Sequence, residues 1–207
     1  MTGPTRTIHL PSTGSTPELW LTETRLTDAD TIYEILSSAT KGPKIYHFTG
    51  TIPHPYAIEN AHFFLQLMAD RNATNERVLT FAVRLQGEDS PLVGVVGLRT
   101  VVLEGDGAIS RAAAEGVMEI DRNAVEVGYW IDGDLAGKGV GTRIAREVVR
   151  IAREELNVQV VGCCFEDNAA SARVLSKSGL VYRGNVRQVK VRDEWEPRDL
   201  KVFSTDS

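Results

Sequence analysis

The chain has 207 residues, 42% of them hydrophobic and 25% charged, with a formal net charge of −5. This is the size and composition of one globular domain with a real core. The acidic balance argues against non-specific nucleic-acid binding and mildly favours a cationic or amine-bearing acceptor, and the start of the chain lacks the apolar run of a signal peptide or membrane span.

Residues 1–17 are rich in Thr, Ser, Pro and Gly and read as a loosely draped arm. Leu19-Trp20-Leu21 opens a first strand. Asp28 reads as the N-cap of a helix through Ile32, Ile35 and Leu36. Residues 40–56 form a loop dense in aromatics (Tyr46, His47, Phe48, His54, Tyr56) and stiffened by Pro43, Pro53 and Pro55. Residues 58–70 predict a helix with Ala61, Phe64, Leu65 and Met68 inward and His62 at the surface. Asn72-Ala-Thr74 matches a glycosylation sequon, which carries no weight without secretion. Residues 78–85 and 92–98 read as an antiparallel hairpin around the turn at 88–91, and the long connection at 103–124 reads as an insertion.

Residues 125–131 predict a strand, followed by the turn Asp132-Gly133-Asp134. The loop Ala136-Gly137-Lys138-Gly139-Val140-Gly141-Thr142 then opens a helix whose Val140, Ile144, Val148, Ile151 and Ala152 recur at helical spacing. Arg143–Glu147 and Arg150–Glu154 predict ion pairs along its outer face. A further strand at 158–165 holds the chain's only cysteines, Cys163 and Cys164. Neighbours in a strand point to opposite faces, so a mutual disulfide is not expected, and reducing, cytoplasmic surroundings fit. Asn168 precedes a short helix that closes at Gly179, and residues 181–191 and 200–203 read as a closing hairpin.

The glycine loop suggests chemistry. Three glycines in five residues remove the Cβ atoms that would hold a ligand off the backbone. Helix-opening N–H groups lack intrahelical partners, and with the helix dipole they suit a phosphate. Lys138 and Arg143 add positive charge. No Walker A sequence is present, while a dinucleotide fingerprint nearly fits from Gly137, with Thr142 in its last position and Glu166 as a ribose-binding acid. Phosphate binding and an ordinary strand–turn–helix unit both remain open at this point.

The loop, the strand after it, Asn168-Ala-Ala-Ser171 and Leu175-Ser-Lys177-Ser-Gly179-Leu180 resemble the GNAT superfamily of acyl-CoA-dependent N-acyltransferases. Glu126-Val-Gly-Tyr-Trp-Ile131 resembles its RimJ/RimL-like branch, whose members acetylate protein N-termini and other amines. The likeness covers about residues 18–203. The usual Gln/Arg at the head of the loop is Ala136 here, and the tyrosine many members carry in the last helix is Leu175.

The resemblance implies an α+β fold: a mixed, mostly antiparallel sheet of six to seven strands, flanked by about four helices, with a splayed central parallel strand pair. One domain would occupy residues 18–204. It implies acetyl-CoA as cosubstrate, held by Trp130, Ile131, Lys138, Gly139, Val140, Gly141, Thr142, Asn168, Ser171 and Lys177. The amine must lose a proton and the oxyanion must be stabilised. Glu126 is the candidate base through a water, or a strand glutamate paired with an arginine or facing solvent. Ser171 is a candidate proton donor to the thiolate, or a first-turn residue; Asn168 is a pantetheine ligand, or an N-cap. A covalent route through the cysteines is disfavoured, because no base is placed beside them. No metal site is expected. The expected partner is an amine-bearing small molecule or peptide N-terminus, with no nucleic acid or membrane and a homodimer left open. A non-catalytic acyl-CoA-binding module and a dinucleotide-dependent oxidoreductase are the competing readings.

Overall fold

The protein is described by a computed structural model covering residues 6–73 and 79–206. Among the described residues, eight strands form a mixed, mostly antiparallel sheet, and the chain divides into two units, residues 1–97 with 129–144, and residues 98–128 with 145–207.

In the first unit β1 (Ile8–Leu10), β2 (Leu19–Glu23), β3 (Thr80–Arg84) and the start of β4 (Leu92–Thr100) pair antiparallel in succession. The end of β5 (Val125–Ile131) joins β4, and Asp132 N donates to Val93 O at 2.7 Å. Gly94 permits this approach: a Cβ there would lie 2.5 Å from the Trp130 carbonyl oxygen. Helices α1 (Ala29–Ser37), α2 (Gly42–Tyr46) and α3 (Ile58–Ala73) cover a core of Ile32, Leu36, Ile45, Tyr56, Leu65, Ala82 and Leu92, against which Trp130 packs. Ala61, Leu65 and Met68 of α3 are buried as their spacing predicts.

Asp28 stands at the N-cap position of α1, but its side chain caps nothing there. Its carboxylate instead takes both terminal nitrogens of Arg84, at 2.9 and 2.8 Å, and the Arg25 N–H. Arg84 also donates to Thr22 and to the Ser90 carbonyl, so the buried guanidinium is well bonded. Removing one partner of such a buried pair costs about 3–5 kcal/mol, because the other charge is left uncompensated.

In the second unit the first residues of β5 pair parallel with β6 (Val160–Phe165), at Val125↔Val160 and Glu126↔Val161. Beyond β6 come β8 (Arg198–Ser204) and β7 (Val181–Val189), both antiparallel, which form the expected closing hairpin. Its helices are α4 (Ala108–Ala114), the larger part of α5 (Val140–Glu154) and α6 (Ala169–Lys177). The core joins Ile109 and Ala112 of α4 to Val161, Phe165, Val186, Leu200 and Val202.

The sheet thus has more strands than expected, and more helices. The extra strand is β1, inside the segment that reads as a loose arm. The extra helices are α2, inside the aromatic loop, and α4, inside the 103–124 insertion. Gln159, buried, ties that insertion down by accepting from Asp121 N–H and donating to the Glu119 carbonyl. Val78 and Thr74 of the sequon lie outside the described residues. Along α5, Val140, Ile144, Val148, Ile151 and Ala152 are all fully buried. The expected Arg143–Glu147 pair does not form: Glu147 binds Arg150 at 2.8 Å, one step closer along the helix, and Arg150 also binds Glu154 at 3.0 Å. Among the described residues no helix is long and apolar enough to cross a membrane.

Candidate active site

The glycine loop lies in the first unit, between β5 and α5. A 3-10 turn, Gly133–Leu135, leads into it. Asp132 fixes that turn: one carboxylate oxygen accepts from Asp134 N–H at 3.0 Å, and the other takes Lys41 Nζ at 2.7 Å. Lys41 also reaches Asp134 at 2.9 Å. Hydrogen bonds to Asp132 and then Asp134 push the Lys41 ammonium up to about 12, and Lys41 in turn holds Asp134 below the usual carboxylate range.

Gly137 and Gly139 both have φ of +77°, the left-handed region that favours glycine. Lys138 N–H is taken by the Leu135 carbonyl. The next three amides are different: among the described residues, the N–H groups of Gly139, Val140 and Gly141 have no protein acceptor. They open α5, so the helix dipole favours an anion there. The loop therefore fits a diphosphate. Val140 offers only its backbone, since its side chain is fully buried; Lys138 is exposed, and Trp130, Ile131 and Thr142 are half-buried. Arg143, read as added charge for the phosphate, instead donates to two carbonyls of the N-terminal segment, Pro17 at 3.0 Å and Pro11 at 2.5 Å.

The remaining candidates lie in the second unit. Glu126 is held at the β5–β6 ladder with its side chain 12% exposed. The arginine partner that the sequence left open is Arg99, at the end of β4, whose guanidinium reaches Oε2 at 2.7 and 2.9 Å. Glu126 holds Arg99 charged by raising its pKa. The Cys163 thiol donates to Oε1 at 3.4 Å. A carboxylate accepts about four hydrogen bonds, so this grip leaves capacity for a water.

Asn168 is the N-cap of α6: its Oδ1 accepts from Ser171 N–H at 3.0 Å. An amide that caps through its oxygen still presents its two N–H donors. Ser171 is half-buried, and its hydroxyl bonds the Cys164 thiol. Leu175 is buried against Gly162, where an added Cβ would lie 3.0 Å from its methyl carbon, so this position carries packing and no proton. Lys177 is exposed, and its carbonyl accepts from Arg146 at 2.9 Å. Glu166, the ribose-binding acid of the dinucleotide reading, is engaged by Asn185 at 2.7 Å.

The cysteines are poor nucleophiles. Burial pushes Cys164 up to about 11 and Cys163 well above its ordinary value. Only the thiolate reacts, so a raised pKa depletes it in proportion. At about pH 8, Cys164 in the folded protein should react with a neutral disulfide reagent roughly two orders of magnitude more slowly than a free thiol, with the rate rising about tenfold per pH unit up to about 11. Stopped-flow labelling before and after denaturation checks this, and rapid labelling of the native protein at neutral pH would reopen the covalent route.

Sequence reasoning missed four of these residues: Lys41, Arg99, Thr16, which lies against Gly139, and Cys163 in its role as a donor to Glu126. Each comes to its partner through strand pairing or tertiary packing rather than through a local motif.

Among solved structures, the ribosomal-protein-S5-alanine acetyltransferase of Vibrio fischeri superposes with a TM-score of 0.69 at 16% identity, covering 96% of each chain. RimL, a ribosomal L7/L12 alpha-N-protein acetyltransferase, gives 0.68 at 14% identity over 99% of this chain and 97% of that one. The microcin C7 self-immunity acetyltransferase MccE, solved with acetyl-CoA and AMP, gives 0.67 at 17% identity over 93% and 94%. At these identities the likeness is one of fold. The protein YdaF of Bacillus subtilis, named as a ribosomal N-acetyltransferase, is 34% identical over 70 residues, a third of this chain and 38% of its own length. The profile of the family described as Acetyltransferase (GNAT) domain matches residues 18–181, most of the chain, and the protein belongs to that family.

Proposed function

We propose that the protein is an acetyl-CoA-dependent N-acetyltransferase that moves the acetyl group directly to a primary amine, on a protein N-terminus or a small molecule. The observation that carries this reading is the row of three acceptor-free N–H groups at Gly139, Val140 and Gly141 in a chain of this family. They bind the diphosphate. Asn168 donates its amide to the pantetheine arm, whose own amides pair along β5 beyond Glu126 in the manner of an added strand. Ser171 bonds the same arm or returns a proton to the departing thiolate.

The transfer is one of nucleophilic addition and elimination. The amine nitrogen attacks the thioester carbonyl carbon, a C–N bond forms, and the C–S bond breaks. Glu126, through a water, accepts the proton that the nitrogen loses. The thiolate leaves and is protonated. Acceptors on ribosomal proteins are the first to try, because the neighbours RimL and YdaF carry such names. A cytoplasmic enzyme suits that chemistry.

The test is release of free CoA thiol from acetyl-CoA in the presence of a panel of N-terminal peptides and small amines. Amine-dependent release is expected, with the acetyl group found on the acceptor nitrogen by mass spectrometry. Tight acetyl-CoA binding with no release for any amine would instead identify a binding module, the outcome that Ala136 and Leu175 would then explain.

A further inference from the structure

The segment Pro11-Ser12-Thr13-Gly14-Ser15-Thr16-Pro17 has a hydroxyl at four of its five central positions. It is folded. Thr13 and Thr16 exchange backbone hydrogen bonds of 3.1 and 2.9 Å, which close the loop, and Gly14 turns it at φ +55°. The Leu10↔Leu19 register of β1 and β2 sets the two feet of the loop side by side. Arg143, in the first turn of α5, pins both feet, donating to the carbonyls of Pro11 at 2.5 Å and Pro17 at 3.0 Å.

The strap so held brings Thr16 to the glycine loop. Its Oγ1 lies 2.7 Å from the point where a Cβ on Gly139 would stand. Among the described residues that hydroxyl has no partner, and it sits beside Gly139, whose N–H is the first of the three that have no acceptor. A free O–H donor next to free N–H donors is a set suited to phosphate oxygens.

We propose that Thr16 is a further ligand of the acetyl-CoA diphosphate, delivered to the glycine loop by a strap that Arg143 pins at both ends; this rests on the glycine loop being the diphosphate site. Arg143 is then a positioning residue, acting through the strap.

The experiment is equilibrium binding of acetyl-CoA and of S-acetylpantetheine, which lacks the diphosphate, to the full chain. Thr16→Val should weaken acetyl-CoA binding about tenfold, as expected for one hydrogen bond to a charged group. It should leave S-acetylpantetheine unchanged, and Thr16→Ser should restore the wild-type affinity. Arg143→Gln should weaken acetyl-CoA binding and remove most of the further effect of Thr16→Val. Wild-type affinity in Thr16→Val, or an equal loss for both ligands, overturns the assignment. If the wild-type protein itself holds acetyl-CoA no more tightly than S-acetylpantetheine, the diphosphate reading fails and this inference falls with it.

Discussion

Gly139→Asp should lower the affinity for acetyl-CoA by about 100-fold or more while leaving a folded protein. Two effects act together. The first is charge: a carboxylate about 4 Å from a phosphate oxygen at an effective dielectric near 20 opposes binding by a few kcal/mol, and each 1.4 kcal/mol is tenfold. The second is steric. Residue 139 has φ of +77°, where a side chain costs about 1–2 kcal/mol, and its Cβ would lie 2.7 Å from the Thr16 hydroxyl. Gly137→Asp isolates the displacement of the strap from the other contributions. It shares the φ of +77° but has nothing within 4 Å of its Cβ, so it tests strain and charge without displacing the strap. Calorimetric titration of both variants with acetyl-CoA, alongside thermal melting, gives the result. Unchanged affinity in a folded Gly139→Asp protein would remove the loop from the cofactor site.

The parts of this fold that were legible in the sequence are those whose cause is local. The burial of Val140, Ile144, Val148, Ile151 and Ala152 along α5 follows from spacing alone, and β3 and β4 pair antiparallel as the expected hairpin. The parts that were not legible have weak local signals. β1 is three residues long and takes its conformation from the β2 edge it pairs with. α2 begins with Gly42-Pro43, which reads as a breaker, yet Pro is tolerated at the first turn of a helix. α4 is alanine-rich, so its propensity was visible, but the length of the connection suggested an insertion loop instead.

The site divides in the same way. The glycines and the helix start at 136–142 lie within a few residues of one another, and so that loop could be read directly. The partners of Glu126 could not. Arg99 is 27 residues away and Cys163 is 37 away, and their meeting is set by strand register. The Arg143–Pro17 contact closes 126 residues of chain. The residues 11–17 looked loose because hydroxyls, Gly and Pro carry no periodic apolar signal, although those same residues allow the tight turn that Thr13 and Thr16 close.

Glu126→Gln should reduce turnover by about 100-fold or more, within the range that a positioned general base supplies, and change acetyl-CoA affinity by no more than about twofold. The geometry makes this substitution unusually interpretable. A glutamine can point its carbonyl oxygen toward Arg99, preserving an acceptor for the bonds now 2.7 and 2.9 Å long, and its amide toward the Cys163 sulfur. The contacts survive while the ability to take a proton is lost. Because Arg99 is 54% exposed, the loss of its counter-charge should cost little stability, about 1 kcal/mol or less. The deficit should depend on pH with a definite sign. Without a base, transfer draws on whatever amine is already deprotonated, and that fraction grows as pH rises. The variant should therefore trail the wild-type enzyme most at about pH 6 and recover part of the gap by about pH 9. Equal turnover across that range would leave Glu126 as a strand carboxylate held by an arginine, and deprotonation would then pass to solvent. A fall in turnover matched by an equal fall in acetyl-CoA affinity would place Glu126 in cofactor binding instead, because an interaction made equally in the ground and transition states does not act on the chemical step.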